Sequence, residues 1–172
     1  MRWLSVVVVA VFLGACADTH QLIKSNEPVA VRLTPTDVVF IAIPEDGVYG
    51  SNTYRGSGQN TAQIIYSAFA KHTRSAKVGR SAQSFDEALA VTRTGGQKYL
   101  VFPTILHWED RATEWSSIPD KVEVKIEVVD VASGDSIVSA VVKGKSGLAT
   151  FGGDHPQDLL PKPIQEFVSS LY

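Results

Sequence analysis

The chain has 172 residues, a formal net charge of −2 and a single cysteine. A sequence pI near 6.1 leaves no basic footprint for nucleic acid, and one cysteine excludes an intrachain disulfide framework. With 44% apolar residues and a mean hydropathy of +0.04, the chain has the material for one packed core, and its length suits one ordinary domain.

The first element in chain order is Arg2 followed by an apolar run from Trp3 to Leu13, with Gly14-Ala15 before Cys16. A basic start, an apolar middle and a small-residue exit make a secretory signal. A spanning helix needs ~20 apolar residues, about twice this run. With cysteine at its exit, the segment resembles a bacterial lipoprotein signal. That resemblance implies cleavage after Ala15 and a Cys16 that carries N-acyl and S-diacylglycerol lipid as the mature N-terminus. Each buried acyl CH₂ contributes ~0.8 kcal/mol, so several chains anchor a domain permanently. Lipidation also removes a lone thiol from an oxidising compartment. In sorted lipoproteins an Asp directly after the cysteine signals inner-membrane retention. Ala17 stands there, which implies the periplasmic face of the outer membrane; Asp18, one place on, keeps the inner membrane as the alternative.

Residues 1–15 are thus read as signal, 16–35 as lipidated cysteine and tether, and 36–172 as a single periplasmic domain. The tether is polar, with one strand suggested around Val29 to Leu33. Val38 to Ile43 is a continuous apolar run stopped by Pro44, as expected of a strand covered on both faces. After a Gly/Ser-rich loop from Gly47 to Gly58, Ala62, Ile65, Ala68 and Phe69 share one stripe of a helix over Gln59 to His72. Ala76 to Val78 suits a short strand. Ser84 and Glu87 form a capping box for a second helix carrying Phe85, Ala88, Leu89 and Val91, which ends before Gly95-Gly96. Tyr99 to Phe102 resumes the buried-strand pattern.

The period then changes. Val122, Val124, Ile126 and Val128 alternate with Glu123, Lys125 and Glu127, the pattern of a strand with one wet face. Asp130 to Asp135 is a turn, and Ile137 to Lys145 returns as a hairpin partner. Pro161 and Pro163 are tolerated only in a first helical turn, which puts a last helix at about Lys162 to Ser170. The order βαβαβ, hairpin, helix predicts an α/β (α+β) fold with a single mixed sheet carrying helices.

That order in a secreted chain resembles the periplasmic domains of the TolB N-terminal region, the curli secretion lipoprotein and the lipoprotein activators of penicillin-binding proteins. The run His107-Trp108-Glu109-Asp110-Arg111-Ala112-Thr113-Glu114-Trp115-Ser116, followed by Pro119-Asp120, is similar to an uncharacterised family of proteobacterial lipoproteins known as a domain of unknown function. The resemblance implies an architecture and a location, and no reaction.

Nothing in the sequence assembles a catalytic motif: no Gly-x-Ser-x-Gly elbow, no His-Glu-x-x-His, no P-loop lysine. The expectation is a non-catalytic chain with no metal or cofactor beyond the Cys16 lipid. His107 and Glu109 share a strand face, which a structural histidine explains as well as a metal ligand. Asp154-His155 reads as a turn. Gly56, Ser57 and Gly58, between strand and helix, form a candidate anion-binding loop, with helix capping by Ser57 or Asn60 as the plainer account. Trp108, Asp110, Arg111 and Trp115 are the candidate partner-binding residues, because Trp and Arg dominate binding hot spots. Against this stands a structural role, with Trp115 closing the core and Arg111 paired internally. The expected function is a membrane-anchored interaction or assembly module of the envelope, working by self-association or with another envelope protein. A small-ligand or glycan binder using the Trp108/Trp115 region or the Gly56 to Thr61 loop is the alternative.

Overall fold

Val39–Ile43 (β2) is buried along its whole length because both of its faces are covered. Val39 and Ile41 point into one core, and Phe40 and Ala42 into another. The computed structural model describes residues 18–25, 32–111, 118–147 and 155–172. β2 pairs in parallel with Ala76–Ala82 (β5) on one side and with Tyr99–Glu109 (β6) on the other. Lys121–Asp130 (β7) and Ser136–Lys145 (β8) follow β6 as antiparallel neighbours, and Thr19–Ser25 (β1) adds to the free side of β8. The result is a six-stranded mixed sheet in the order β1-β8-β7-β6-β2-β5. Val48–Tyr49 (β3) and Asn52–Thr53 (β4) form a separate small hairpin within the Gly/Ser-rich loop.

Helices Ser57–Phe69 (α1) and Pro161–Ser169 (α3) share one face of the sheet. Ile65, Phe69, Ile164 and Phe167 meet Val124, Ile126 and Val142 there, all fully buried. The opposite face receives Phe85–Thr94 (α2), whose Ala88 and Leu89 pack on Phe40, Leu100 and Val129. The predicted capping box is present: the Glu87 backbone N–H donates to Ser84 Oγ, and Glu87 Oε2 accepts from the Ser84 backbone N–H at 2.9 Å. The alternation in β7 is also as expected. Val122 to Val128 point into the main core, while Lys121, Glu123, Lys125 and Glu127 form the outward row, where Lys125 and Glu127 pair at 2.9 Å.

Several boundaries differ from the sequence reading: α1 spans Ser57–Phe69 instead of Gln59 to His72, and β5 runs beyond Val78 to Ala82. β6 continues through Pro103 to Glu109. Its pairing with β2 ends at Val101, so beyond that point it behaves as an edge, where proline is tolerated. The stretch read as tether carries β1, paired residue by residue with β8 from Thr19↔Lys145 to Ser25↔Ser139. Its strand character is hidden in sequence because most of its side chains are exposed, so no apolar alternation marks it. The strand suggested around Val29 to Leu33 falls largely outside the described residues. Leu33 itself is buried, outside any strand, and donates its N–H to Leu171 O at 2.8 Å. Among the described residues no helix is long and apolar enough to cross a membrane.

Candidate functional site

A bulge in β6 decides what the candidate run presents. Ile105 faces Val124 across the ladder, yet His107 faces Glu123, so one extra residue is inserted between them. The bulge leaves Leu106 half exposed and reverses the side-chain parity that follows. Trp108 therefore turns inward, opposite Val122, and is 2% exposed. Gly47 makes room for it: a Cβ there would lie 2.5 Å from Trp108 Cβ and 2.9 Å from its Cγ. Trp108 is a core residue and not the recognition residue that the sequence suggested.

The same bulge directs His107 and Glu109 to the outer side. Glu109 is 3% exposed and ringed by His107, Arg111 and Lys121. Its Oε2 lies 3.0 Å from His107 Nε2 and 3.5 Å from Lys121 Nζ, and its Oε1 lies 3.0 Å from Arg111 Nε. Tyr49 from β3 closes the group, with its ring 4.7 Å beneath the Arg111 guanidinium and edge-on to His107 at 5.2 Å. Burial pushes the Glu109 carboxyl up, but the His107 hydrogen bond and the Lys121 and Arg111 charges outweigh it and hold the group below its ordinary range. Such a carboxylate is a poor proton donor at neutral pH. Its arrangement is that of a brace tying β6, β7 and the β3–β4 hairpin together.

The other candidates are placed as follows. The Arg111 backbone N–H donates to Asp120 Oδ1 at 2.6 Å, and the fully buried Asp120 is tied to Ser146 through both main chain and hydroxyl. Asp110 Oδ2 lies 3.3 Å from Nδ1 of the half-exposed His155. The histidine of the Asp154-His155 pair thus engages Asp110, while Asp154 lies outside the described residues, as does Trp115.

The Gly56–Ser57–Gly58 loop is filled from within. Asp46 Oδ2 accepts from the Gly56 N–H at 3.1 Å, and its Oδ1 accepts from the Gly58 N–H at 2.9 Å. Ser57 is buried and accepts from the Gly47 N–H at 2.8 Å. The start of α1 does hold an anion, but it is the chain's own carboxylate, and this corrects both the open anion site and the capping by Ser57 or Asn60. Gly56 sits at φ 88°, which favours glycine, and a Cβ on Gly58 would collide with Pro44 O. Asp46→Ala is expected to cost about 1–2 kcal/mol, with Asp46→Asn recovering part of it, as read from urea unfolding midpoints. Equal midpoints for wild type and Asp46→Ala would remove the capping role.

Solved structures share this architecture. The PelC dodecamer from Paraburkholderia phytofirmans aligns with a TM-score of 0.69 at 16% identity, covering 89% of this chain and 97% of that one. The hypothetical protein CT253 from Chlamydia trachomatis gives 0.52 at 10% identity, covering 78% and 95%. Protein XCC0632 from Xanthomonas campestris gives 0.51 at 11% identity, covering 83% and 91%. At these identities the likeness shows the fold alone. No curated protein sequence matches the chain. One family's sequence model spans residues 31–171, which is the whole domain apart from β1, and the chain therefore belongs to that family, described as a domain of unknown function, DUF4823.

Proposed function

We propose that the chain is a lipoprotein anchored through Cys16 to the periplasmic face of the outer membrane, and that its domain is a non-catalytic assembly module of the cell envelope. The observation that carries this reading is the position of β1 at the end of the strand order among the described residues. Among the described residues that strand pairs with β8 alone, and it carries Ile23 46% exposed. Such an edge is a template for strand addition by another chain. PelC, described as a dodecamer, supports self-association as the first form to test. The resemblance to lipoprotein activators of penicillin-binding proteins supports a second envelope protein as the other form, by analogy of fold.

The competing reading as a ligand binder loses support at Trp108 and at the Gly56 to Gly58 loop, while Trp115 lies outside the described residues. Trp108 is in the core, and Asp46 occupies the Gly56 to Gly58 amides. In-cell chemical crosslinking of the lipidated protein, resolved by mass spectrometry, tests the proposal. Crosslinks between copies, or to one envelope protein, are expected, and an Ile23→Lys variant should reduce them. A protein that remains monomeric and uncrosslinked in the membrane would remove the assembly reading.

A further inference from the structure

The register of the sheet gathers three lysines, Lys121, Lys143 and Lys145, at one corner of its outer face. Two rows cross four strands there: Glu109, Lys121, Lys145 and Thr19 in one, and His107, Glu123, Lys143 and Gln21 in the next. All of these except Glu109 line a shallow basin of about 510 Å³. Within it, Lys143 is neutralised by Glu123 at 3.1 Å, and Lys121 shares the buried Glu109 with Arg111 and His107. Lys145 is exposed and directly opposite Lys121 across the β7–β8 ladder. Like charges opposite one another on a sheet are unfavourable in the isolated domain. An external anion over the corner would relieve that repulsion.

Chain length says which anion is within reach. β1 begins at Thr19, three residues after Cys16. Fully extended, three residues span about 10 Å, whereas a tether over residues 16–35 would have allowed roughly 70 Å. About 10 Å is also the screening length near physiological salt, so charges at the start of β1 feel a surface to which Cys16 is attached. Thr19 is the register partner of Lys145.

We infer that the corner carrying Lys121, Lys143 and Lys145 docks on anionic phospholipid headgroups, seating the domain directly on the membrane with the β1 edge facing sideways. This rests on the lipoprotein reading of Cys16. Exposed cations at such a surface are attracted individually, while Glu109 is buried, Glu123 is paired with Lys143 and the exposed Asp18 accepts the Gly147 N–H. Lateral exposure of β1 leaves that edge available to a neighbour in the same membrane.

The test is lysine labelling with a membrane-impermeant amine reagent on the mature lipidated protein, reconstituted in vesicles of phosphatidylethanolamine and phosphatidylglycerol. Lys121, Lys143 and Lys145 are expected to react at least about fivefold more slowly than in phosphatidylcholine vesicles, while Lys71 and Lys77 at the far side keep their rates. High salt should remove the protection. Lys145→Glu, which turns the cross-strand repulsion into an attraction, should leave the domain at least as stable yet expose Lys121 and Lys143. Equal rates in both vesicles overturn the docking, as does protection that persists in lipid-free detergent, which would assign the corner to a second copy. Intact mass keeps the two readings apart: absence of lipid on Cys16 removes the anchor, whereas lipidated protein with unprotected lysines removes only the seating.

Discussion

Trp108→Ala is expected to destabilise the domain by about 3–5 kcal/mol, the cost of removing a large fully buried aromatic side chain. The indole lies 2% exposed in the main core, opposite Val122 and over the space left by Gly47. Its removal leaves a cavity where β6 passes the β3–β4 hairpin, and neither element can collapse into it without breaking the Tyr49 contacts to His107 and Arg111. For a domain of this size the loss corresponds to a fall in Tm of roughly 10 °C. Urea and thermal unfolding followed by circular dichroism measure it. A Trp108→Ala protein with wild-type stability that has lost its partner would return Trp108 to a recognition role.

Glu109→Gln should cost about 2 kcal/mol at neutral pH, less than for a wholly buried ion pair because Arg111 and Lys121 keep substantial contact with water. The cost should also depend on pH. Glu109 titrates below its unfolded value of about 4.5 when folded, so between the two values the unfolded chain binds the extra proton. Its contribution is fully present above the unfolded pKa and disappears as the pH falls through the folded one. Urea unfolding of both proteins from pH 7 down to pH 3 should therefore show a gap that is constant at neutral pH and closes in acid. A gap that stays open throughout would mean that Glu109 acts through packing alone.

Both variants concern residues that were legible as a group before their roles were. The run from His107 to Arg111 stood out by composition, and the structure does gather His107, Glu109, Arg111 and Lys121 at one place. Arg111 is paired internally, the structural role weighed for it in sequence. What composition does not carry is parity: a single inserted residue at Leu106 exchanges inside for outside, and Trp108 goes to the core. Asp46 was equally hidden, because it caps α1 from the far side of the β3–β4 hairpin and no local capping pattern links it to Gly56 and Gly58.

Whatever depends on neighbours within a turn or two of chain was legible in the order of the residues. The uninterrupted run of β2 required cover on both faces, the Ser84–Glu87 box started α2, the strict alternation of β7 set its wet and dry sides, and the two prolines confined the start of α3. Features whose cause lies far away in the chain arise only when the sheet assembles. β1 is a strand because β8 offers it an unpaired edge, the start of α1 is closed because Asp46 reaches it, and the lysines of β7 and β8 form one corner because the ladder puts Lys121 opposite Lys145. Local patterns are fixed by backbone sterics and side-chain periodicity. Edges, caps from a distance and shared charge exist only once the sheet has chosen its order and register.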